Sequence, residues 1–189
     1  MSIKFKTRIK FATIIIVLFV LCSFTLVKTH DRAKSYSLPL ELKSQIASET
    51  KGMTEKQIID YGLNLTAKKL RFAEKNDIGH GKANCVGYAQ LCSAICNQAL
   101  KNNGYKCRAK PVVGYISNCG INLCELFKHV APNKHWYNFV KDHDFVELQV
   151  EDKTYYFDPS IYDVLGNKCI TIKTIWLHNI LKRIANLAI

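Results

Sequence analysis

Two alternating stretches, His143-Asp144-Phe145-Val146-Glu147-Leu148-Gln149-Val150 and Lys153-Thr154-Tyr155-Tyr156-Phe157-Asp158, stand only two residues apart. Period-two patterning across so short a gap predicts an antiparallel hairpin, with Glu151-Asp152 as its turn. The loop length then fixes the register. Val150 faces Lys153, Phe145 faces Asp158 and His143 faces Ser160, so His143 and Asp158 become diagonal neighbours on one side of the pair. Val146, Leu148 and Val150 point to the other side, where they are free to be buried. One more residue in the loop would turn Asp158 away from His143, so the pairing of imidazole and carboxylate rests on an even loop.

A thiol completes the set. Ala83-Asn84-Cys85-Val86-Gly87-Tyr88-Ala89 reads as a helix start, with Asn84 as N-cap, and the helix is expected to run to about Asn102 with Gly104 closing it. Cys85, Ala89, Cys92 and Cys96 share one face, so Cys92 and Cys96 read as small core residues beneath Cys85. A thiol at a helix start meets unpaired N–H groups and the positive dipole end, which favour thiolate. Taken singly, Cys85 would be a core thiol, His143 a strand residue and Asp158 a turn residue. Together they match thiol acyl transfer: Cys85 as nucleophile, His143 as base and later acid, and Asp158 as the group that fixes the imidazole. The Cys85 backbone N–H is one expected oxyanion donor, and Asn76 or His80 is the expected second.

Around this centre, Leu40 to about Thr50 is a short helix, and Thr54-x-x-Gln57 is a capping-box pattern. Ile59, Leu63, Thr66, Leu70 and Ala73 then follow at helical spacing, until the Asn76–Gly81 loop. Cys107–Ser117 reads as a strand, with Pro111 pointing to an edge or a bulge. Residues 118–142 form an insertion, and a basic amphipathic helix is expected from about Ile170 to Leu187. Asn64-Leu65-Thr66 matches a glycosylation acceptor but falls inside a predicted helix, where chance explains it better.

Phe11 to Val27 is an uncharged, mostly apolar run preceded by Lys4, Lys6, Arg8 and Lys10. No Ala-x-Ala site follows it, so it reads as an uncleaved, single-pass signal anchor with the rest of the chain outside the cytoplasm. The expected organisation is a basic flank at 1–10, the anchor at 11–27, a polar linker at 28–40 and one domain at 41–189. The net charge of +12 is shared evenly: residues 1–34 carry seven basic side chains and one acidic, and the rest carry twenty and fourteen. That is a mildly basic domain without a dense patch, so no nucleic-acid partner is expected. Of eight cysteines, six remain if Cys22 is set with the anchor and Cys85 is a free nucleophile, an even number suited to an exported domain. Cys119, Cys124, His129 and His135 have donor types that suit zinc, but their spacing is tighter than that of a zinc finger. A Cys119–Cys124 disulfide and unpaired thiols are the other readings, and neither a metal nor a cofactor is expected.

At these residues the chain resembles the transglutaminase-like superfamily. The resemblance rests on Cys85-Val86-Gly87-Tyr88-Ala89 at a helix start, His143-Asp144-Phe145-Val146-Glu147 on a strand, and Asp158-Pro159 after an aromatic strand. It covers about residues 80–165. It departs from the pattern after the histidine, where Ala-Trp is common and Asp144-Phe145 stands here. No acidic calcium loop is visible either. The resemblance implies an α+β fold with a papain-like core, its nucleophile helix packed on a small antiparallel sheet. It implies an enzyme that acts on amide bonds in a peptide or protein substrate through a thioester on Cys85. A peptidase or amidase is the first expectation. Glutamine acyl transfer, or a silent peptide- or envelope-binding domain of the same fold, are the alternatives.

Overall fold

The computed structural model describes residues 24–32, 34, 36–118, 120–130, 142–166, 168 and 171–174. In chain order these residues form β1 (Phe24–Asp31), α1 (Leu40–Glu49), α2 (Glu55–Lys69), β2 (Arg71–Phe72), a 3₁₀ turn at Ile78–His80, β3 (Lys82–Ala83) and α3 (Cys85–Asn102). Then come β4 (Ala109–Asn118), β5 (Ile121–Asn122), α4 (Leu123–Val130), β6 (His143–Val150), β7 (Lys153–Phe157), α5 (Pro159–Leu165) and β8 (Thr171–Thr174). The architecture is α+β. One antiparallel sheet runs in the order β1-β4-β6-β7-β8, with β5 paired to β4, and β2 and β3 form a separate small pair.

The helices are built as their sequences require. Thr54 caps α2 through a complete capping box with Gln57, and Ile58, Ile59, Leu63 and Thr66 are buried on its inner face. Asn84 caps α3 by accepting from the Val86 N–H, and Gly104 takes the left-handed conformation just past its end (φ 75°). Tyr88, Ala89, Cys92, Ile95, Cys96 and Ala99 line the buried face of α3. They pack with α2 residues and with Val146, Leu148, Tyr155 and Phe157 of the sheet in the main core. Asn64 sits inside α2, bonded to the Asp60 carbonyl and the Tyr162 hydroxyl.

The opposite side of the sheet buries Leu26, Val112, Phe145 and Tyr156. A flat sheet would hold its edge strands about 19 Å apart across four strand spacings. Here the Leu26 N–H on β1 donates to the Thr171 hydroxyl on β8 at 3.0 Å. The sheet therefore curls until its two edges meet, and the smaller cluster lies in the hollow.

The β6–β7 hairpin has the expected register, with Val150 opposite Lys153 and Val146 opposite Phe157. Glu151 enters the turn at φ 52°, and it is the single non-glycine residue with positive φ among those described. Several boundaries differ from the sequence reading. Phe24–Asp31 is a strand paired to β4, so residues 24–27 belong to the folded domain rather than to the anchor, and 28–31 are not linker. The cause is that Leu26 is fully buried in the hollow of the sheet, while Lys28 reaches across β4 to Glu147 on β6. Residues 1–23, and with them the rest of the expected anchor, lie outside the described residues; no described helix is long and apolar enough to cross a membrane.

Thr171–Thr174 is a strand against β7 where a helix start was expected, and 175–189 lie outside the described residues. The expected insertion at 118–142 contains β5 and α4. Pro111 sits in an interior strand, not at an edge. Its carbonyl accepts from the Arg32 N–H, so its missing donor faces the fading end of β1 and the ladder to β6 loses nothing. The bulge falls instead in β1, between Lys28 and His30.

Gly114 pairs with Lys28 on one side and His143 on the other. A Cβ there would stand 1.9 Å from the Val27 carbonyl oxygen, so β1 closes on bare backbone. Gly114→Ala is expected to destabilise the protein by about 3 kcal/mol or more, because backbone must move rather than a side chain. Chemical denaturation would check this, and an unchanged midpoint would refute the close approach.

Candidate functional site

The three chemistry-bearing residues sit at the ends of three elements. Cys85 is the first residue of α3, His143 the first of β6, and Asp158 follows the last residue of β7. The helix lies across the Val146/Leu148 side of the sheet, and the side chains converge where β6 begins. His143 Nε2 is hydrogen-bonded to Asp158 Oδ2, and the Cys85 sulfur lies close enough to the imidazole to help raise its pKa. With Nε2 held by the carboxylate, Nδ1 is the ring nitrogen left for sulfur. The imidazole is only 15% exposed, Asp158 is fully buried and Cys85 is half-buried.

Burial presses His143 toward its neutral form, but the charge and hydrogen bond of Asp158, joined by the Cys85 sulfur, outweigh it and raise its pKa well above the ordinary 6.5. Burial likewise opposes ionisation of Asp158, yet the facing imidazole and a ring of donors hold its pKa below 3.8. Those donors come from α5. Asp158 is its N-cap, and Oδ1 accepts from the Ser160 N–H at 2.9 Å, the Ser160 hydroxyl at 2.8 Å and the Ile161 N–H at 3.0 Å. One oxygen thus anchors to a helix start while the other faces the imidazole. Asp158 has an extended backbone (φ −119°, ψ 104°), as Pro159 demands of the residue before it.

Two contacts tie this assembly together. Tyr88, one turn into α3, is fully buried and donates to Asp163 of α5 at 2.5 Å, linking the thiol's helix to the carboxylate's helix. Burial, followed by the hydrogen bond to Asp163, keeps its phenol protonated by raising its pKa. Arg32, just past β1, forms a two-pronged pair with Asp144: Nε to Oδ2 at 2.7 Å and Nη2 to Oδ1 at 2.6 Å. Asp144 is 1% exposed and adjoins His143 in the chain, and the guanidinium also interacts electrostatically with Cys85. A fixed cation therefore stands near the sulfur without occupying it.

The two expected oxyanion donors separate. Asn76 lies at the start of α3, its Oδ1 accepting from the Asn84 N–H at 2.9 Å. That orientation leaves its amide hydrogens as donors. A Cβ on Gly87 would come within 2.6 Å of the same oxygen, which explains the glycine two residues after Cys85. His80 does not join the site: its ring is 83% exposed and bonded to Asp77 across the 3₁₀ turn. The turn closes on itself through Gly81, so residue 80 points outward. Of the residues considered for zinc, Cys119 and His135 lie outside the described residues. Cys124 is a buried free thiol, whereas His129 is 72% exposed and faces Glu125 on the same helix. Those two side chains do not converge, and no cluster of metal ligands occurs among the described residues.

The sequence reading missed the cap that Asp158 provides, the Tyr88–Asp163 contact and the Arg32–Asp144 pair. An Asp-Pro dipeptide is a recognisable N-cap followed by an N1 proline, so the first had a signal. The ion pair, 112 residues apart, had none. Comparison with protein-family models, curated proteins and solved structures yields no match.

Proposed function

We propose that this chain is a transglutaminase-like cysteine enzyme that opens amide bonds in a peptide or protein through a thioester on Cys85, with water as the usual acceptor. The observation that carries the reading is the continuous chain of contacts from the Cys85 thiol through His143 to a buried, fully bonded Asp158. In the forward step the sulfur attacks the carbonyl carbon, and its proton passes to His143. The C–N bond then breaks as His143 returns that proton to the leaving amine. Water, deprotonated by the same imidazole, attacks the thioester, releases the acid and restores the thiol. The Cys85 N–H and the Asn76 amide would share the oxyanion. The apolar run before β1 would hold the enzyme at a membrane, with its domain outside the cytoplasm.

The test is acyl capture. Incubation with glutamine-containing peptides and hydroxylamine should give peptide hydroxamates, along with an acyl adduct on Cys85 that intact-mass spectrometry detects. Both should vanish in Cys85→Ala. Persistent absence of adduct and hydroxamate across a diverse peptide and amide panel would instead favour a binding domain.

A further inference from the structure

Away from the triad, a cavity of about 790 Å³ opens between the second half of α3, the Gly104–Pro111 stretch leading into β4, residues 31, 32, 34 and 36–38, and α1. Its walls carry Lys34, Lys43, Lys101, Lys106, Arg108 and Lys110, with Arg32 at one end. The single acidic residue on the wall, Asp31, is held by Lys28 at 2.6 Å. Arg32 is committed to Asp144. Among the described residues, Lys34, Lys43, Lys101, Lys106 and Arg108 make no ion pair or side-chain hydrogen bond, whereas Lys110 stands opposite Glu147 on the far face of β4 and acts on Asp31. The walls between them are fixed: Asn97 clamps α3 to β4 by accepting from the Ala109 N–H and donating to the Ala109 carbonyl.

We propose that this cavity binds a compact polyanion bearing several phosphoryl groups. Five uncommitted cations around one concave space repel each other, and a multivalent anion relieves that repulsion at many points at once. The mix also matters. Four of the five are lysines, point charges on flexible stems that follow the tetrahedral oxygens of phosphate, whereas a planar carboxylate is better matched by arginine forks. The volume is that of an ordinary ligand pocket. Concavity argues against a bilayer surface, which would meet cations on a protruding face. The site is separate from Cys85, His143 and Asp158, and does not depend on the activity proposed for them.

Titration calorimetry of the full chain with sodium tripolyphosphate tests this. Saturable one-site binding is expected, weakening by about tenfold or more between 50 and 200 mM salt, as unpaired surface charges require. A Lys106→Gln/Arg108→Gln variant should lose about tenfold or more in affinity, since each removed charge-assisted contact matters. Lys43→Gln/Lys101→Gln, drawn from the facing walls, should do the same, and it decides the matter if the first variant melts early. Tripolyphosphate should also raise the melting temperature of the wild type more than that of either variant. No binding in 50 mM salt, or wild-type affinity in a folded variant, would overturn the proposal. So would attachment to phosphatidylglycerol vesicles that tripolyphosphate fails to displace, which would make the cations a membrane-facing patch.

Discussion

His143→Ala should slow alkylation of Cys85 by iodoacetamide at pH 6.5 by about 10²-fold, and abolish any acyl transfer by about 10²- to 10⁴-fold, the usual worth of a positioned acid–base group. The imidazole neighbours the sulfur on one side and is hydrogen-bonded to Asp158 on the other. Without it, Arg32 still offers a nearby positive charge, but a guanidinium does not take up the thiol proton. The variant should therefore retain some sensitivity to salt while losing its acid–base function. Mass spectrometry of the alkylated residue across pH checks the expectation directly. Equal rates in wild type and variant would mean that the contact has no chemical consequence.

The same residue carries a stability signature whose sign follows from its surroundings. His143 has a pKa above its unfolded value, so its contribution is fully present below about pH 6.5 and is lost as pH rises through the raised folded value. Asp158 has a depressed pKa, so its contribution is present above about pH 3.8 and lost as pH falls through its lower folded value. The pair therefore contributes most between those two limits. Melting temperatures of wild type should decline on the alkaline side relative to His143→Gln, in which that titration is gone. A constant difference from pH 5 to 10 would contradict the ion pair.

How much of this was legible depended on whether a local rule fixed the answer. The β6–β7 pairing followed from parity, since with a two-residue loop the alternation leaves only one register that buries Val146 and Leu148. The start of α2 and the limits of α3 followed from Thr54, Gln57, Asn84 and Gly104, each a capping residue with a distinct backbone task, whereas α2 ends at Lys69 although Leu70 and Ala73 continue its spacing. Where two rules met, the sequence was ambiguous. Phe24-Thr25-Leu26-Val27 continues the apolar run before it, and nothing local separates a membrane segment from an edge strand anchored by Leu26. Thr171–Thr174 was drawn into a longer helical stripe because four residues are too few to establish a period. His80 and Asn76 were equivalent in the sequence. Only the closed 3₁₀ turn, which faces His80 outward, distinguishes them.

Asp158 offers the sharpest separation between folding and chemistry. Asp158→Ala removes the α5 cap, three bonds to Ser160 and Ile161, and the buried partner of His143 together. Losing a cap costs about 1 kcal/mol, and breaking a buried ion pair on one side about 3–5 kcal/mol. A loss of roughly 4 kcal/mol is expected, enough to unfold a marginal domain. Asp158→Asn should behave differently. Its amide oxygen, turned toward α5, can still accept from the Ser160 and Ile161 N–H groups, so the cap survives and the fold should hold. The NH₂ group is then left facing His143 Nε2, which must accept, and the ring proton moves to Nδ1, the nitrogen that has to receive the thiol proton. The wrong tautomer should cost activity by about 10³- to 10⁴-fold, with a smaller fall in melting temperature than the alanine variant because the cap is kept. Denaturation midpoints and acyl-capture rates measured on both variants would separate these effects. If the asparagine variant were as unstable as the alanine one, the carboxylate's chief role would be to neutralise a buried imidazolium. If it were stable and fully active, Asp158 would be a helix cap alone, and the orientation of His143 would have to come from elsewhere.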